Sequence, residues 1–362
     1  MPDESRKLVV VLTGASSGIG RATAIALAHE GVHLVVAARG EAGLQGVADE
    51  CEQIGERPLI MPVDVVDGNA VAHLAESVLV RFGRIDVWIN NVGVGAVGLF
   101  EETPLEAHRR VIEANLIGHL NGAHAVLPLF KKRGRGTLIN MISLGGWVPS
   151  PLAAAYTASK FGLRGLSEAL RAEVSGLPNV HVCAVYPTFV DTPGFSHGAN
   201  YTGKHLEPPS PLVDPREVAQ AIVALIHAPR STTIVGSVAW PARIAHAAAA
   251  DAVARCMFAL TRRALEQARP TAVSGGNLFE PSRGHAIDGG YRRPHRTATW
   301  VSGLAAAGAL IWAASCLLSK HTSTSARGNP TRRLDAPRLA SCSQSGEPAA
   351  LINDLLAAGQ RR

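Results

Sequence analysis

The sequence predicts an α/β fold: a doubly wound parallel sheet of about seven strands, followed by a C-terminal helical and irregular extension. Three observations carry that expectation. Over the first 237 residues, short β-rich runs alternate with longer stretches of helical periodicity. The β-rich runs are nearly continuous in apolar residues, as strands covered on both faces must be. The composition suits close helix–sheet packing: 47% of the 362 residues are hydrophobic, only 5% are aromatic, and there are 36 glycines.

Taken in order, the strands are expected at Leu8–Leu12, Leu34–Ala38, Leu59–Val63, Val87–Ile89, Thr137–Ile142, Val180–Val185 and Thr232–Val235. The helices are expected around 19–30, 41–54, 69–82, 105–132, 154–176 and 215–227. Right-handed crossovers then gather the loops that follow the strands on one edge of the sheet, where a ligand would bind. Thr188–Pro215 interrupts the rhythm with five prolines (193, 208, 209, 211 and 215) and reads as an active-site lid or a surface excursion.

Beyond residue 237 the composition changes. Residues 241–268 are Ala-rich and helical, and 270–297 read as linker or irregular structure. The domain expectation is therefore 1–240 for a nucleotide-binding catalytic unit and 241–296 for an extension. A transmembrane or packing helix is expected at 297–319 and a polar, disordered tail at 320–362. Val301–Leu318, as a helix, would span about 27 Å, just short of a hydrocarbon core of about 30 Å. Its many Ala, Gly and Ser residues insert weakly, so membrane anchor and soluble packing helix both stay open.

The formal net charge of +6 admits nucleic acid, an anionic membrane or an anionic cofactor. No basic run is interleaved with aromatics, so no nucleic-acid partner is expected. The five cysteines (51, 183, 256, 316 and 342) are scattered, with no CxxC and no zinc spacing. They read as small buried hydrophobes in a reducing compartment, cytoplasmic or membrane-associated, and no metal is expected. The polar stretch at 1–7 leads into a strand and does not read as a secretory signal.

Thr13-Gly14-Ala15-Ser16-Ser17-Gly18-Ile19-Gly20 follows the first strand and opens the first helix. Gly14 permits the turn, Gly18 lets backbone approach a pyrophosphate, and Gly20 lets the helix pack on the sheet. The helix N-terminus offers unpaired N–H groups to the anion. The second strand ends in Arg39, where an acidic residue would bind the 2′-hydroxyl of NAD. An arginine there suits the 2′-phosphate of NADP, so NADP(H) is expected over NAD(H). Asp64, at the end of the third strand, is a candidate for the adenine edge or for a helix cap.

Tyr156 and Lys160 are one helical turn apart and project from one face. An ammonium beside a phenol is expected to lower the phenol's pKa, which makes Tyr156 a candidate general acid/base. Ser143 follows the fifth expected strand and precedes Tyr156 by 13 residues. Its hydroxyl is placed to orient a carbonyl against the phenol.

In these residues the chain resembles the single-domain branch of the short-chain dehydrogenase/reductase family, over residues 8–237. Thr13–Gly20 matches its TGxxxGxG loop, and Asn90-Asn91-Val92-Gly93 resembles its NNAG element. Asn115 stands where the family carries its catalytic asparagine, and Ser143 and Tyr156-xxx-Lys160 match its serine and YxxxK. Pro187-Thr188 replaces the usual Pro-Gly.

The resemblance implies a Rossmann-like fold and a catalytic set of Asn115, Ser143, Tyr156 and Lys160. It implies that Tyr156 exchanges a proton with the substrate oxygen as hydride moves at the nicotinamide. Lys160 would hold the nicotinamide ribose, Asn115 a relay water, and Thr188 the carboxamide, with Asn90 mainly structural. Gly14, Ser16, Ser17, Gly18, Ile19, Gly20, Arg39, Asp64, Asn90, Gly93, Tyr156, Lys160, Pro187 and Thr188 would line the cofactor site. A small carbonyl or alcohol substrate follows, and a homodimer or homotetramer built through 105–132 and 154–176. A non-catalytic NADP(H)-binding scaffold is the rival reading, which the full set of four argues against. An epimerase or dehydratase of the extended branch is disfavoured by the Gly14, Gly18 and Gly20 spacing.

Overall fold

The computed structural model describes residues 7–292. The readings for 297–319 and 320–362, with Cys316 and Cys342, lie outside the described residues. The expected strands form one seven-stranded sheet: β1 (Val9–Thr13), β2 (His33–Ala38), β3 (Leu59–Pro62), β4 (Val87–Asn90), β6 (Gly136–Met141), β7 (Val180–Pro187) and β9 (Thr232–Val235). Two two-residue strands, β5 (Ala96–Val97) and β8 (Ala199–Asn200), pair separately. The order in the large sheet is β3-β2-β1-β4-β6-β7-β9 and every pairing is parallel. Connections run one way from β1 to β3 and the other way from β4 onward. The β1/β4 boundary is therefore the switch point, where doubly wound sheets open a crevice beyond the strand C-termini.

β1 shows why these runs are strands. All five of its residues are buried. Val10 and Leu12 enter one core with Leu27, Val36 and Ile222, while Val9 and Val11 enter another with Leu74, Trp88 and Phe130. A period of two sends alternate β-branched side chains to opposite faces, each worth roughly 1.5–3 kcal/mol when fully buried. Helices α1 (Gly18–His29), α2 (Glu41–Glu52) and α8 (Pro215–His227) cover the first face. Helices α3 (Gly68–Phe82) and α5 (Gly118–Arg133) cover the second.

Three details differ from the sequence reading. The expected helix over 105–132 divides into α4 (Leu105–Ile112), a π-helical turn at Glu113–Ile117 and α5. The excursion after β7 carries its own short elements, α7 (Gly194–His197) and β8. Residues 270–292 are irregular, as expected, but they are no linker. They return to the C-terminal edge of the sheet, with bridges Lys204↔Pro270 and Asn200↔Ser274, and they bury Leu278 completely.

Helix α6 (Ala154–Glu173), which carries Tyr156 and Lys160, rises from that same edge, and α9 (Ala239–Gln267) follows β9. Helix α9 is long and apolar enough to cross a membrane by length and composition alone, and it is mostly unburied. It carries exposed Trp240, Ile244, Phe258 and Leu260.

Candidate active site

Strands β4, β6 and β7 end side by side, and the candidate catalytic residues stand just beyond them. Ser143 follows β6 and its Oγ accepts a hydrogen bond from Gly145 N–H at 3.1 Å. Tyr156, in the first turn of α6, has its ring beside Gly145 and the Ser143 side chain, which acts to lower the phenol pKa. Gly145 leaves room for the phenol, because a Cβ there would stand 3.1 Å from Tyr156 Cε1. The two residues that the sequence placed 13 apart therefore come together around Gly145.

Lys160 is almost wholly buried and donates from Nζ to Met141 O at 3.0 Å. Burial lowers its pKa to about 7. The ammonium stands 5.8 Å from the centre of the Tyr156 ring, over its face. Burial raises the Tyr156 pKa, and the Ser143 side chain only partly opposes it. The expected lowering by Lys160 is thus not what the geometry delivers. The ammonium bonds a main-chain carbonyl and does not reach the phenol oxygen.

Asn115 lies in the π turn and is fully buried. Its Oδ1 accepts from Val94 N–H at 2.8 Å, and its Nδ2 donates to Val94 O at 2.9 Å and Ser159 Oγ at 3.1 Å. Its side chain thereby ties the loop after β4 to α6, directly beneath Tyr156. Turns of this kind interrupt the α ladder and recur at functional sites. Asn90 braces strand ends: it accepts from Trp88 Nε1 at 2.8 Å and donates to His119 O at 3.1 Å and Asn140 Oδ1 at 3.0 Å. Thr188 continues β7, with its N–H on Val235 O at 2.9 Å, directly after Pro187.

The glycine loop joins β1 to α1 at the switch point. Gly14 and Gly18 have φ of +68° and +54°, a region that favours glycine. A Cβ on Gly20 would stand 2.0 Å from Gly14 O, so the helix can approach only without a side chain. Ser17 is the N-cap residue of α1, and its own side chain makes no capping bond. Ser16 and Ile19 flank it. Asn91, which the sequence reading did not single out, donates from Nδ2 to Gly14 O at 3.0 Å and holds the loop against β4. The adjacent asparagine of the Asn90-Asn91 pair was its available signal.

A nicotinamide dinucleotide fits this cradle. The loop presents a helix N-terminus at the switch point, and Lys160 offers a buried cation beside Gly93, where a Cβ would lie 3.8 Å from Nζ. Arg39 stands at the end of β2 as expected, and its guanidinium donates to main-chain oxygens of Leu278 and Glu280, each at 2.9 Å, and of Asn277. Asp64 pairs with Arg110 and accepts from Val66 N–H at 3.2 Å. The helix cap considered for it is supplied by Asp67, which accepts from Asn69 and Ala70 N–H.

Two residues carried no sequence signal. Arg110 lies on α4 and also donates to Leu278 O at 3.0 Å. His119 is fully buried, and desolvation, with the charge of nearby Lys160, holds its pKa well below the usual histidine value. Among the described residues no group of His, Cys, Asp and Glu could hold a metal ion.

With the site in place, the resemblance to known proteins is specific. Residues 8–199 match the family described as short chain dehydrogenase, which is over half of the chain. The chain belongs to that family. It is 34% identical over 234 residues to an uncharacterized oxidoreductase of Bacillus subtilis, covering 63% of this chain and 65% of that protein. It therefore spans less than two thirds of that relative's length. It is 32% identical over 220 residues to the 3-oxoacyl-[acyl-carrier-protein] reductase of Thermotoga maritima, covering 60% of this chain and 89% of that protein. Among solved structures, an alcohol dehydrogenase from Thermococcus sibiricus complexed with 5-hydroxy-NADP matches with a TM-score of 0.57 at 30% identity. That match covers 65% of this chain and 98% of the other.

Proposed function

We propose that this protein is an NADP(H)-dependent oxidoreductase that interconverts a carbonyl compound and its secondary alcohol. The observation that carries the reading is the meeting of the Ser143 and Tyr156 side chains around Gly145, with Lys160 Nζ 5.8 Å from the centre of the phenol ring, all beyond the C-terminal ends of β6 and β7. The nicotinamide would supply or accept the hydride at the carbonyl carbon. The chain's own residues handle the proton and the orientation. Because burial raises its pKa, the Tyr156 phenol is protonated at neutral pH and suits the role of acid, giving its proton to the carbonyl oxygen during reduction. The Ser143 hydroxyl orients that oxygen against the phenol. Lys160 would hold the nicotinamide ribose hydroxyls from beside Gly93, and Asn115 keeps α6 and the Val94 backbone in register.

The preference for NADP(H) over NAD(H) rests on Arg39 in place of a ribose-binding carboxylate. The activities named for the relatives, 3-oxoacyl-[acyl-carrier-protein] reductase and alcohol dehydrogenase, support the carbonyl/alcohol class. Exposed Leu105, Ile117 and Leu120 on α4–α5 support assembly through the two long helical segments. Membrane attachment remains a proposal for 297–319.

The test follows NADPH absorbance with a panel of aldehydes and ketones, comparing the wild type with Tyr156→Phe and repeating the series with NADH. The reading expects turnover in the wild type that collapses in the variant. Equal rates in both would sink it.

A further inference from the structure

Two donors that a bound dinucleotide would need are already engaged by the chain's own C-terminal strap, residues 274–292. Gly18 N–H, in the glycine loop, donates to Ala286 O at 2.9 Å. Arg39 donates to the main-chain oxygens of Asn277, Leu278 and Glu280. Both N–H groups of its Nη2 are spent there, so the two-pronged edge that would grip a phosphate is closed. Leu278 adds a fully buried side chain in a cluster with Val94, Ala107 and Val111, and partly buried Val66 and Val92 pack against that cluster. Those residues follow β3 and β4 and line α4, the side of the switch point where an adenine would lie. Arg110 binds Leu278 O as well as Asp64.

The strap is built into the fold. A Cβ on Gly43 would stand 2.5 Å from His285 Nδ1 and 2.9 Å from Ser16 Cβ, so glycine there lets α2, the glycine loop and the strap pack closely. Its far end is latched by charge. Arg292 binds Asp191 at 3.2 Å, Asp214 at 2.6 Å and Asp288 at 2.9 Å, and Arg216 binds Asp288 at 2.8 Å. Asp191, almost fully buried in the segment after β7, also accepts from Tyr291 N–H at 2.9 Å and Arg292 N–H at 3.1 Å.

We propose that the 274–292 strap is autoinhibitory: it occupies the adenosine half of the cofactor groove, and the dinucleotide must displace it to bind. The inference rests on the cofactor reading made under Proposed function. Its physical basis is that an N–H shared between two acceptors bonds each more weakly, and phosphate oxygens compete well with neutral carbonyls because their hydrogen bonds are charge-assisted. The ion cluster at Asp288 sets how readily the strap leaves.

The test measures binding of NADPH and NADH to the full chain by calorimetry. It compares the wild type with Leu278→Ser, which removes the apolar plug, and with Asp288→Ala, which opens an exposed part of the latch and leaves the core intact. The expected result is at least a fivefold lower Kd in both variants. NADPH should also speed tryptic cleavage after the exposed Arg283 of the wild type. Unchanged or weaker binding in the variants would overturn the proposal, as would protection of Arg283 by NADPH. If the wild type binds but the variants bind no tighter, only the strap fails. If no form binds either dinucleotide, the proposed function fails and takes the strap with it.

Discussion

The catalytic and adenosine halves of the groove lie a few strands apart and are held by partners of very different origin. Around Tyr156 the bonds are short in sequence. Lys160 reaches Met141 over 19 residues, Asn115 reaches Val94 over 21, and Asn115 reaches Ser159 over 44. Around Arg39 the partners are 238, 239 and 241 residues away. The candidate catalytic half is assembled from the strand ends of β4 and β6, the π turn at Asn115 and the start of α6, all within the central part of the chain. The adenosine half is finished by a strap that returns only after α9. The proposed chemistry and the proposed control of cofactor access thus fall on separable parts of the chain.

The sharpest way to break that comparison is to remove the phenol oxygen. Tyr156→Phe should lower kcat/KM by roughly 10²–10⁴ with an unchanged melting temperature, measured by steady-state kinetics and thermal unfolding. NADPH affinity should stay as in the wild type, since the adenosine half is untouched. A matching loss of affinity would show the two halves to be one unit.

Next in size is Asn115→Ala. It strands the buried N–H and C=O of Val94, at a cost of about 3 kcal/mol, so the melting temperature should fall by roughly 6–12 °C. A fall of a degree or less would mean that the loop after β4 is held elsewhere.

Arg39→Asp acts on the other half. Loss of a charge-assisted contact to the 2′-phosphate should shift the NADPH/NADH ratio of kcat/KM by about 10- to 100-fold toward NADH. An unchanged ratio would leave Arg39 serving the strap alone.

The smallest effect is a pH dependence. An unfolded lysine keeps its proton up to its ordinary value of 10.5, whereas folded Lys160 releases it near 7. Between those values the unfolded chain binds more protons, so stability rises with pH. Relative to Lys160→Met, the melting temperature of the wild type should climb by roughly 5 °C from pH 7 to 9. A flat difference would place the ammonium in water.

Much of this was legible in the residues, and the boundary is physical. The seven strands were readable because buried parallel strands need continuous apolar runs, as in Val9–Thr13. Ser143 and Tyr156 were readable because a helical turn and a strand end place side chains by local rules. The π turn at Asn115 was not, since it departs from the α period only within a packed helix. Nor was the phenol's raised pKa, because the direction depends on where the Lys160 ammonium points and on how deeply both groups are buried.

By itself, then, the order of amino acids determined the sheet, its switch point and which side chains were candidates for proton transfer, all consequences of short-range periodicity and side-chain chemistry. Tertiary structure alone decided what stands over Arg39 and Gly18. The strap binds there through main-chain carbonyls, which every residue possesses, and such contacts leave no mark in a sequence.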